Sequence, residues 1–133
     1  MNNLITKGFK LAGILNISGV LIFSRFFTNR AIYDTDPNAM SKFGLLMIIV
    51  WGLAFIASSK KYKDLKWLVG VFAIEKLVYS IYWTFWILKN DLIPIYEQDL
   101  MAGFFYTIYG LNDWLFFLFF TYVFFKPIIK TKS

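Results

Sequence analysis

The sequence contains no cysteine and no histidine. Without cysteine there is no disulfide, no thiol nucleophile and no iron–sulfur cluster. Without histidine there is no His-ligated haem, no common zinc site and no imidazole general base. Charge is scarce too: Asp, Glu, Lys and Arg make up 17% of the 133 residues, against ~25% in ordinary soluble domains. What fills the chain is apolar. Hydrophobic residues reach 59%, aromatic ones 22%, and the mean hydropathy is +0.58. A soluble domain of 15.6 kDa could not hide that surface, because small domains bury only about two-thirds of what the unfolded chain exposes. Disordered chains are poor in aromatics, so disorder is excluded as well. The class that remains is a small, single-domain, all-α integral membrane protein. A lack of cysteine fits a bacterial inner membrane.

Spanning helices need ~17–25 apolar residues, and four candidates are legible: Phe9–Phe27, Phe43–Ser59, Trp67–Leu88 and Leu100–Phe125. In the first, Lys10 and Arg25 leave only a short uncharged stretch, which snorkelling to opposite interfaces extends to a full span. A signal peptide is the alternative there, but Ser24-Arg25-Phe26-Phe27 is too bulky for a cleavage site. The expected architecture is an antiparallel, up-down bundle of four transmembrane helices with short loops.

Basic residues set the orientation. Lys7, Lys10, Lys60, Lys61, Lys63, Lys66, Lys126, Lys130 and Lys132 fall on one side, and only Arg25, Arg30, Lys42 and Lys89 on the other. The positive-inside rule puts both termini in the cytoplasm. The acidic residues Asp34, Asp36, Asp91, Glu97 and Asp99 gather on the opposite side. Asp36-Pro37 reads as a cap and first residue of the second helix, and Pro127 as the stop of the fourth. Leu92-Ile93-Pro94-Ile95-Tyr96 is apolar enough to lie in the interface. The partner read from this pattern is the bilayer, with Lys60, Lys61, Lys63 and Lys66 placed to meet anionic lipid head groups. The net charge of +6 is spread over helix flanks rather than a groove, so no nucleic-acid partner is expected. Oligomers are compatible with the pattern.

A charge in the hydrocarbon core costs ~2.5–3.5 kcal/mol on insertion scales, so intramembrane polar residues must find partners or do work. Here they are Asn16, Glu75, Lys76, Asn112 and Asp113. At 1.5 Å per residue, Asn16, Glu75 and Asp113 lie about 10–18 Å from the cytoplasmic helix ends, in one layer. Trp51 and Gly52 reach the same depth on the second span. Helical spacing puts Glu75, Tyr79, Tyr82 and Trp86 on one face, and Tyr106, Tyr109, Gly110 and Asp113 on another. Ala12, Asn16, Gly19 and Phe23 make a third, with small residues for close approach. The expected site is a narrow cavity with carboxylates at its floor and Tyr and Trp walls. Lys76 is expected to pair with Asp113, because the third and fourth spans are joined by a short loop.

The functional expectation is binding of a small, partly apolar or amine ligand, or a proton-linked step, with no metal and no cofactor. A structural or accessory subunit fastened by the same layer is the alternative. An enzyme acting on a lipid-like substrate through Glu75 and Asp113 is a third reading. Lys76 and Ser80 share the i, i+4 spacing of a Ser–Lys hydrolase, a spacing that also arises by chance. No stretch matches a family motif. Small four-span groups such as the DoxX-like proteins share the helix count alone.

Overall fold

A computed structural model describes residues 2–127, and among them only helices and turns occur. The elements are α1 (Asn2–Phe23), α2 (Arg30–Thr35), α3 (Lys42–Ser58), a short 3-10 turn (Tyr62–Asp64), α4 (Lys66–Lys89), α5 (Ile93–Gln98) and α6 (Leu100–Phe125). Helices α1, α4 and α6 are long and apolar enough to cross a membrane, and α3 is a shorter apolar helix. These helices mark the chain as a membrane protein. Their outward faces carry large apolar side chains, among them Ile14, Ile74, Val78, Leu115 and Leu118.

Two of the expected helix boundaries need correction. The first helix starts at Asn2 and stops at Phe23, rather than running over 9–27. It stops because Arg25, Phe26 and Phe27 all take positive φ, at 50°, 56° and 68°. The Phe26 N–H bonds the Leu21 carbonyl and the Arg25 N–H the Ile22 carbonyl. That is a Schellman-type end built without glycine. The second helix does not start at Asp36-Pro37. Its N-cap is Ser41, whose hydroxyl accepts from the Gly44 N–H at 3.0 Å. Asp36 closes α2 and caps a single turn, accepting from the Ala39 N–H at 3.3 Å. α4 lies within one residue of expectation at each end, and α6 matches 100–125. The apolar Leu92–Tyr96 segment is largely helical, inside α5.

The helices associate as two close pairs, α1 with α3 and α4 with α6, while α1 and α6 share a thinner seam. Gly13 and Gly52 let the backbones of α1 and α3 touch, each glycine facing the other's carbonyl. In the second pair, the Trp83 ring lies on Gly110. The core has two halves. Near the Tyr62 end it is dominated by phenylalanine, with Phe9, Phe55, Phe72, Phe116 and Phe120 interlocked. Near the α2–α5 end it contains Trp83, Tyr106 and Tyr109, and Ile32 of α2 plugs it.

Candidate functional site

The polar layer sits between these two halves. Lys76, only 1% exposed, projects from α4 and donates to Asp113 Oδ1 on α6 at 2.8 Å and to Asn16 Oδ1 on α1 at 2.9 Å. Its ammonium lies 5.2 Å from the centre of the Phe55 ring on α3, a cation–π contact. Asn16 then donates its own amide to the Ile48 carbonyl of α3 at 3.1 Å. Asn112 adds a donor to Asp113 Oδ1 at 3.2 Å. One lysine therefore ties together all four long helices. Burial in hydrocarbon makes such pairing obligatory, since an unpaired ammonium or carboxylate there is costly.

The remaining sequence candidates distribute differently. Glu75 is buried beside this network, and its Oε2 finds no partner within the protein. Tyr79, four residues on, is close enough to feel the charges of Glu75 and Asp113. Tyr109, with its hydroxyl unpartnered, lies within electrostatic reach of Asp113, Tyr79, Tyr82 and Asp36. Tyr82 donates to Asp36 Oδ1 at 3.2 Å. Tyr106 is a structural pillar: its hydroxyl donates to the Ile32 carbonyl at 2.7 Å, and Trp86 stacks on its ring at 4.8 Å. Trp51 is not part of the polar layer. It packs edge-on against Phe72 at 6.2 Å in the apolar half. The Lys76–Ser80 spacing carries no nucleophile, because Ser80 donates to the Lys76 carbonyl at 2.6 Å and Lys76 is held by Asp113.

A cavity of about 350 Å³ opens on the seam between α1 and α6. Asn16, Asn112, Asp113 and Tyr109 contribute its polar lining, and Gly19, Ile48, Phe105 and Ile108 are among its apolar walls. It does not take in Glu75, Lys76, Tyr79, Tyr82, Trp86 or Tyr106, so the Tyr and Trp walls expected from α4 belong elsewhere. Gly19, expected at a helix–helix contact, faces open space: a methyl group added there would meet nothing within 4 Å. Gly13, farther down the same helix, is the glycine that meets α3, whereas Gly19 lines the cavity on the α1–α6 seam.

Several important residues escaped the sequence reading. Asp99 caps α6 through the Ala102 N–H at 2.9 Å and binds Arg25 at 2.7 Å and Asn29 at 2.5 Å. Partial burial pushes the Asp99 carboxyl up, but hydrogen bonds from Asn29, Ala102 and Arg25, with the Arg25 charge, bring it below the ordinary value. The Asp-x-x-Ala start of a helix was a legible signal for the cap, whereas the partners of Asp99, some 70 residues away, were not. Asp36 as the outer anchor of Tyr82 left no local signal at all.

No protein-family model matches the chain, and neither a curated protein nor a solved structure is significantly similar to it.

Proposed function

We propose that this is a four-span membrane protein that binds a small, partly apolar ligand in the cavity between α1 and α6. The single observation behind the reading is an intramembrane cavity whose apolar walls end on Asn112 and Asp113. Its volume is at the lower end of the ~300–1,000 Å³ typical of ligand pockets. Hydrogen-bond accounting narrows the ligand. Asp113 Oδ1 already takes two donors, and Asn16 uses its oxygen and one amide hydrogen. Of the polar groups left toward the cavity, Asp113 Oδ2 belongs to the charged side chain and accepts, as does Asn112 Oδ1, while the Tyr109 hydroxyl and one amide hydrogen each of Asn16 and Asn112 are neutral. The site therefore favours an apolar body that ends in a donor, an alcohol or an amine, entering from the bilayer.

In this reading α3 also spans. Its 17 residues extend about 25 Å, enough for a thin hydrocarbon core. The four long helices alternate in direction, with both termini in the cytoplasm of a bacterial inner membrane. Support comes from Lys7, Lys10, Lys60, Lys61, Lys63 and Lys66 on one side. The exposed Lys60, Lys61 and Lys66 are placed to meet anionic lipid head groups. Lys130 and Lys132 lie outside the described residues.

The test is a thermal-shift titration of the purified protein with dodecylamine, dodecanol and dodecanoate. The amine or the alcohol should raise Tm, and the carboxylate should not. Gly19→Leu should abolish the shift while keeping the basal Tm. If no compound distinguishes wild type from Gly19→Leu, the ligand reading fails. The second reading, a structural or accessory subunit, is favoured by the Lys76 network, which uses every long helix to hold the bundle.

A further inference from the structure

Three groups between the α2–α5 end and the polar layer share an unusual property: they are polar, buried and incompletely partnered. Asp36 Oδ2, the Tyr109 hydroxyl and Glu75 Oε2 have no hydrogen-bond partner within the protein. The Tyr79 hydroxyl, on a half-buried residue, enters no hydrogen bond either but is not enclosed by the protein. Glu75 is only 8% exposed. In hydrocarbon each such orphan costs several kcal/mol. Water is the ordinary remedy where several polar groups converge.

Tyr82, Tyr79 and Glu75 follow one another at helical spacing on one face of α4. Asp36 sits at the α2 end and is bonded to Tyr82. Tyr109 feels Asp36, Tyr82, Tyr79 and Asp113 together. Tyr79 feels Glu75, one helical turn deeper on the same face of α4. Beyond Glu75 the line ends. Phe55, Phe72, Phe116 and Phe120, with Phe9, close the other half of the core, and Phe55 packs directly on the Lys76 ammonium.

We propose that Asp36, Tyr82, Tyr109 and Tyr79 line an aqueous half-channel that carries protons from the α2–α5 face to Glu75, and that it is closed toward the opposite face by the phenylalanine cluster. The groups facing Glu75 are Lys76 and Tyr79 of its own helix and Asp113 of α6. Lys76 and Asp113 are engaged with each other, so Glu75 is the carboxyl left free to exchange a proton. Hydroxyl and carboxyl groups both donate and accept, which a proton relay requires. The inference depends on the helices spanning a membrane and does not require a ligand in the cavity on the α1–α6 seam.

The chain's lack of cysteine makes it a ready background for thiol scanning. Tyr79→Cys, Tyr82→Cys, Val78→Cys and Phe72→Cys variants are placed in proteoliposomes. A membrane-impermeant methanethiosulfonate is then added to one face at a time. Thiols react as thiolates, which form in water and not in lipid. From the α2–α5 face, the thiols at positions 79 and 82 should react at least about tenfold faster than the one at the lipid-facing position 78. From the opposite face, the thiols at 79 and 72 should be inert. Equal rates at 79 and 78 would overturn the channel, and reaction at 72 from the opposite face would overturn its closure. Infrared titration checks the terminus. A protonated-carboxyl band lost on alkalinisation in wild type and missing in Glu75→Gln is expected. The same band unchanged in Glu75→Gln would remove Glu75 as the acceptor.

Discussion

The Lys76 ammonium and the Asp113 carboxylate meet at 2.8 Å across the α4–α6 interface, with the lysine 1% and the aspartate 7% exposed. A buried pair is expensive to break from one side, because the surviving charge stays buried. Asp113→Ala should lower stability by about 3–5 kcal/mol. Lys76→Met combined with Asp113→Leu should recover much of that loss. Thermal unfolding of both single variants and the double variant in one detergent checks this; additive losses would contradict the pairing.

Gly110 and Gly19 should respond in opposite ways to the same change. A leucine at 110 would overlap the Trp83 ring and should cost about 1–3 kcal/mol or more through overpacking. A leucine at 19 enters open space and should alter stability by no more than about 0.5 kcal/mol. Unfolding curves of the two variants side by side are the measurement.

Asp99 predicts an acid-side loss of stability. Its folded-state carboxyl lies below the ordinary value. Its contribution is therefore complete above the unfolded value of about 4 and disappears as pH falls through the lowered one. Wild type should lose several degrees of Tm over that window. Asp99→Asn keeps a competent helix cap but no charge, so it should begin lower and lose less. A parallel pH profile for the two proteins would show that the Arg25–Asp99 contact contributes nothing.

Reporters fused at Met1 and Ser133 should both score as cytoplasmic, and one inserted between Asp91 and Asp99 as external, given the basic residues around Tyr62. A Ser133 reporter on the external side would exclude four spans.

Parts of this fold were legible for identifiable reasons. α6 is one long apolar run stopped by Pro127, so composition and local chemistry determined its length. The Lys76–Asp113 pair followed from the cost of charge in hydrocarbon. The end of α1 did not follow, because three consecutive non-glycine residues in left-handed conformation, at ~1–2 kcal/mol each, are stabilised by contacts with Asn29, Ser24 and distant Asp99. Face periodicity singled out Asn16, Asn112, Asp113 and Tyr109 but not the seam on which they meet, which depends on helix spacing. Trp51 was misread for a similar reason: depth along a helix does not say which neighbour the ring meets.

The pairing of α1 with α3 and of α4 with α6 has a mechanical consequence. The two pairs are fastened to each other by polar links at two levels, at the middle by the Lys76–Asn16 bond and at one end by the grip of Arg25 and Asn29 on Asp99. Asn16 and Asp113, the two partners of Lys76, also line the cavity on the α1–α6 seam, so the bond that joins the two pairs is at the same time part of the wall of that cavity.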